Sequence, residues 1–81
     1  MSLSYEESLL KEKFGIEAKH TMGGNTDVEF ESESHGLIML LFKENKVELY
    51  VKEDSQGYTY EGERNLIESE VEDLNKLGYD F

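Results

Sequence analysis

The sequence predicts an α+β domain: an N-terminal helix, an antiparallel meander of four strands (three or five being the alternatives) and a C-terminal helix. Three observations carry this reading. Apolar residues recur at helical spacing near both ends of the chain, and they alternate with polar ones in between. The turns between the alternating segments are short, which suits hairpins, since a parallel crossover needs a dozen or more residues. The 81 residues amount to one domain, taken as residues 1–81.

The first helix is announced by Ser4 and Glu7, which have capping-box spacing, and Glu6 and Glu7 suit the positive end of a helix dipole. Tyr5, Leu9, Leu10 and Phe14 then share one face. Gly15 followed by Ile16 has the form of a Schellman stop, with Ile16 folding back onto the last turn. The second helix is expected after Asn65, with Glu68 completing another capping box. Ile67, Val71 and Leu74 mark its buried stripe, flanked by Leu66 and Leu77. Gly78 terminates it, and Tyr79 and Phe81 pack back onto the domain.

Between the helices the period falls to two. Ile16, Ala18, His20 and Met22 alternate with polar residues in a weak strand ending at Gly23-Gly24-Asn25. Val28 and Phe30 alternate with Asp27, Glu29, Glu31 and Glu33 in a clearer one. Ser34-His35-Gly36 turns the chain into residues 37–42, an uninterrupted apolar run, and Glu44-Asn45-Lys46 turns it out again. Val47, Leu49 and Val51 then alternate with Glu48, Tyr50 and Lys52. After a turn at Asp54-Ser55-Gln56-Gly57, Tyr58 and Tyr60 open a short last strand. Nothing in the chain reads as a repeat, a linker or a low-complexity tract.

The apolar run is greasy on both sides. Leu37, Met39 and Leu41 point one way, and Ile38, Leu40 and Phe42 point the other. One set belongs beneath the helices. The other, assigned as Ile38, Leu40 and Phe42, lies outward among Glu29, Glu31, Glu48 and Tyr50. Burying three such side chains is worth about 1.5–3 kcal/mol each, so an uncovered row needs a reason. Either helices cover both faces, or the open face is an interface with a second copy or a foreign protein.

Composition narrows the partner. Nineteen acids against eight Lys and Arg set the formal net charge at -11. Such a field repels nucleic acid and anionic membranes, which are bound chiefly through Lys and Arg. The basic residues are scattered and form no stripe. With no cysteine, thiol catalysis, disulfides and cysteine-ligated metal centres are excluded. Residues 1–7 lack the basic start and apolar run of a signal peptide, and residues 37–42 are too few for a membrane span. A cytoplasmic protein is expected. Met1-Ser2-Leu3 also reads as an expression scar, which would make the chain a domain cut from a longer one.

Catalytic and metal motifs are thin. His20 and His35 are the only histidines, neither lies in a His-Glu-x-x-His arrangement, and the chain has no Gly-x-Ser-x-Gly nucleophile elbow. Asp27, Glu29, Glu31 and Glu33 line one strand face, but alternate strand residues lie about 6.6 Å apart, too far to converge on one calcium ion. Asn25-x-Asp27-x-Glu29 begins like a calcium loop, yet Phe30 stands where an EF-hand requires glycine. Glu53-Asp54-Ser55-Gln56-Gly57 is the better loop candidate, with an ordinary polar turn as the plainer reading.

The expectation is therefore a non-catalytic protein-binding or inhibitory module, without cofactor or metal. Its partner-binding residues are Asp27, Glu29, Glu31, Glu33, Ile38, Leu40, Phe42, Glu48 and Tyr50, and its partner is a basic protein or a second copy of itself. A specific version makes the carboxylates a nucleic-acid mimic that occupies a nucleic-acid-binding protein. One strand of alternating acids has roughly half the charge density of a DNA strand, about 6.6 Å per charge against about 3.4 Å. Mimicry therefore requires Glu61, Glu63, Glu68, Glu70, Glu72 and Asp73 to join the same surface. The alternative is a structural homodimer, and a small hydrolase or calcium-binding domain has least support.

Overall fold

The computed structural model describes residues 4–23, 26–52, 57–79 and 81. In chain order the elements are α1 (Tyr5–Phe14), β1 (Lys19–Gly23), β2 (Asp27–Ser32), β3 (Gly36–Lys43), β4 (Lys46–Lys52), β5 (Tyr58–Asn65) and α2 (Glu68–Lys76). The strands form one antiparallel sheet in the order β1-β2-β3-β4-β5, so of the strand counts expected the meander takes five.

Helix α1 starts and stops where its caps dictate. The Ser4 hydroxyl accepts a hydrogen bond from the Glu7 N–H at 3.1 Å. Gly15 ends the helix in the left-handed region, at φ 69°, and donates its N–H to the Lys11 carbonyl at 2.8 Å. Ile16 belongs to no strand: it turns into the core with only 7 % of its surface exposed, and β1 begins three residues later than the alternation suggested.

Helix α2 begins later than expected. Asn65 closes β5 opposite Lys46, and the N-cap is Ile67. The Leu66 N–H donates to the Asn45 carbonyl at 2.6 Å, holding the chain against the β3–β4 turn before the helix starts. The Glu70 carboxylate accepts the Ile67 N–H at 2.9 Å. That supplies one half of a capping box, because an isoleucine side chain cannot return the bond.

Register decides which residues share a face. Val28 pairs with Leu40 and Phe30 with Ile38, while Leu40 pairs with Leu49 and Phe42 with Val47. These side chains join Leu9 and Leu10 of α1, Leu74 of α2, and Ile16, Leu66 and Tyr79 in a single buried cluster. Both helices therefore cover the same face. They are linked to each other by Lys13 Nζ and Glu70 Oε1 at 3.3 Å. The predicted facing of the apolar run is corrected: Ile38, Leu40 and Phe42 are 0, 0 and 3 % exposed beneath the helices, and Leu37, Met39 and Leu41 point outward.

The C-terminal segment closes the core as expected of Tyr79 and Phe81. The Tyr79 ring lies 4.7 Å from that of Phe42, with the Phe81 ring 6.1 Å away on the same residue. The Tyr79 hydroxyl donates to Glu6 Oε2 at 3.0 Å, joining the two ends of the chain.

Candidate functional site

The face turned away from the helices is built in rows by the strand register. One row runs Glu29, Met39, Tyr50, Tyr60, and the next Asp27, Leu41, Glu48, Glu63. Glu31 opposes Leu37 on β3 and Lys19 on β1. Leu37 is 41 % exposed, and Met39 and Leu41 are half-buried by their neighbours on the sheet alone. A bulge in β1 adds to this surface. Inserting Thr21 between the paired His20 and Met22 sets Met22 opposite Glu29, where it is 65 % exposed. Met22 was expected on the same side as His20, whose ring instead stays near Phe30 at 5.7 Å.

Each tyrosine on this face donates its hydroxyl to a carboxylate. Tyr50 donates to Glu48 at 2.9 Å, Tyr60 to Glu63 at 3.0 Å and Tyr58 to Glu29 at 3.2 Å. The last of these spans from β5 to β2 across the intervening strands. Each carboxylate disfavours the phenolate beside it, so all three hydroxyls titrate above the ordinary tyrosine value; for Tyr58 the larger cause is burial.

Glu48 is the buried charge of the face, with 7 % exposure. Burial alone would raise its carboxyl. The hydrogen bonds from Tyr50 and Lys43 and the charges of Lys43 and Lys46 outweigh that and hold it below its ordinary 4.5. Lys43 Nζ and Lys46 Nζ stand 3.4 and 3.8 Å from its oxygens. A depressed carboxyl pKa contributes stability at neutral pH that is lost as pH falls below 4.5. Glu48→Gln should therefore be less stable than the parent by about 1 kcal/mol at pH 7, with the gap closing near pH 3. Urea unfolding at the two pH values checks this, and a gap independent of pH would refute it.

The charge of the face is divided. On the β4–β5 side, Glu48 and Glu63 are matched by Lys43 and Lys46. On the β2 side, among the described residues, none of Asp27, Glu29 and Glu31 lies within salt-bridge distance of a Lys or Arg. The partly exposed apolar row thus borders an acidic strand without a Lys or Arg partner among the described residues.

Of the residues expected to bind a partner, Asp27, Glu29, Glu31, Glu48 and Tyr50 do come together on the open face. Glu33 lies in the turn after β2. Ile38, Leu40 and Phe42 are excluded by burial. Alternation within β3 could not choose between its two faces, since both are apolar. Tyr58, Tyr60 and Glu63 were missed as members of the face, although the spacing of Tyr58 and Tyr60 placed them on one side of their strand.

The other acids that nucleic-acid mimicry requires do not unite with this surface. Glu61 sits at the β5 bulge, and Glu68, Glu70, Glu72 and Asp73 belong to α2, on the far side of the sheet. His35 hydrogen-bonds to the Ser34 hydroxyl at 2.7 Å. The nearly buried Ser32 Oγ accepts both the Ser34 and the His35 N–H at 3.3 Å, a turn-closing network. No carboxylate is hydrogen-bonded to His35 among the described residues. Among those residues, too, no three His, Asp or Glu side chains gather at metal-binding distance. Residues 53–56 of the calcium-loop candidate and turn at 53–57, residues 24 and 25 of the turn at 23–25, and residues 1–3 lie outside the described residues. No described helix is long and apolar enough to cross a membrane. No protein-family model, curated protein or solved structure matches the chain.

Proposed function

We propose that the chain is a cytoplasmic, non-catalytic binding module whose open sheet face docks a basic protein partner. The observation that carries this reading is the partly exposed row of Leu37, Met39 and Leu41 beside Asp27, Glu29 and Glu31, which among the described residues have no Lys or Arg within salt-bridge distance. The apolar row supplies desolvation, and the acidic strand supplies complementarity and faster encounter. A partner segment of mixed apolar and basic character satisfies both. Self-association through the same face is disfavoured, because it would bring together two surfaces from molecules that each carry a charge of -11. The separation of the α2 acids from the β2 acids removes support from nucleic-acid mimicry, which needs them on one surface.

The test uses a synthetic peptide of alternating lysine and leucine as probe, with amide NMR shifts as readout. The expected shifts centre on residues 37–41, and binding weakens with salt. The double variant Glu29→Lys, Glu31→Lys should weaken it by about tenfold, or about 1.4 kcal/mol. Shifts confined to the helices, or unchanged affinity in the double variant, would sink the proposal. A salt-insensitive dimer in light scattering would replace it with the homodimer reading.

A further inference from the structure

Resting on that reading of the open face, we infer that the group it recognises is an arginine side chain of the partner, seated against Tyr50 and Tyr60. The two rings have centroids 5.7 Å apart and planes inclined at 69°, so they form two walls of a corner. A planar guanidinium stacks on one such wall while its edge donates to carboxylates, a combination that a compact ammonium does less well. Tyr60 is 50 % exposed, so a ring face is available.

The carboxylates are in place. Glu63 and Glu48 each accept one hydroxyl of the pair, from Tyr60 and Tyr50 at 3.0 and 2.9 Å, which orients them. An ionised carboxylate has about four lone-pair sites, so acceptor capacity remains for a forked donor. Lys46 Nζ stands 3.5 Å from Glu63 and its side chain is 36 % exposed, so an incoming guanidinium can displace it toward Glu48. Among the described residues, no basic group of the chain stacks on Tyr50 or Tyr60. Its single arginine, Arg64, is on the helix side, with its guanidinium 5.3 Å from the Phe14 ring centroid and a bond to the Glu63 carbonyl.

The experiment compares three peptides of one alternating basic–leucine pattern, carrying arginine, lysine or citrulline, the last nearly isosteric with arginine but uncharged. The arginine peptide should bind at least threefold tighter than the lysine peptide, and the citrulline peptide at least tenfold more weakly than arginine. Tyr60→Leu should abolish the preference for arginine over lysine, and Tyr60→Phe should retain it. If Tyr60→Leu fails to fold, Glu63→Gln reads the same seat and should reduce the preference to within twofold. A preference that survives these changes while Glu29→Lys, Glu31→Lys still weakens all charged peptides overturns the arginine seat and leaves the docking face standing. Failure of the parent to bind any charged peptide overturns both.

Discussion

Leu40→Ala should cost the fold about 2–5 kcal/mol, whereas Leu41→Ala, one residue along the same strand, should cost about 1 kcal/mol or less. Leu40 is fully buried, between Val28 on one neighbouring strand and Leu49 on the other. Truncating it removes transfer energy and leaves a cavity that rigid strands cannot close. Leu41 opposes Asp27 and Glu48 on the open face and stays partly wet, so little is lost there. Urea unfolding of both variants decides the matter. Equal losses would mean that both faces of β3 are core, and the docking surface would vanish with that result.

The second large effect is expected at Tyr79. Tyr79→Ala should destabilise by about 3–5 kcal/mol, because the residue is only 6 % exposed and its ring packs directly on Phe42. Tyr79→Phe keeps the ring and should cost only about 1 kcal/mol, the worth of the hydroxyl's bond to Glu6. Burial, then the charge of Glu6 and the hydrogen bond to it, push the hydroxyl far above its ordinary 10. A raised pKa means that the native state keeps a proton the unfolded chain releases. The associated stability is intact below pH 10 and is lost as pH rises beyond it. The parent should therefore lose stability more steeply than Tyr79→Phe between pH 10 and 11.5, as read from melting temperatures. Parallel curves would show that the phenol is not held protonated by the fold.

Much of this architecture was legible in the residues. Ser4, Glu7 and Gly15 bound the first helix through local chemistry, and local chemistry is what a sequence displays directly. Asp27 to Ser32 and Lys46 to Lys52 alternate because one face is covered and the other is not. The run at residues 37–42 is different: apolar on both sides, it carries no facing signal of its own. Its orientation is imposed by the pairing of Val28 and Phe30 with Leu40 and Ile38, fixed in turn by the register of Ser32 against Gly36. The β1 bulge was hidden for a related reason, since one unpaired residue reverses the facing of Met22 without altering composition. The start of α2 was misplaced because Asn65 is a good N-cap by type, but the Lys46 pairing and the Leu66 bond to Asn45 keep it in the sheet. Of the site, Asp27, Glu29, Glu31, Glu48 and Tyr50 could be read from alternation. The Tyr58 bridge to Glu29 could not, as it joins residues 29 apart across the sheet.

The bond between Tyr79 and Glu6 places the beginning of α1 beside the segment that follows α2. A label or a surface anchor carried on the exposed Lys11 of α1 or Glu72 of α2 therefore projects from the side that carries the helices. Immobilised in this way, the molecule presents its tyrosine-and-leucine side unobstructed.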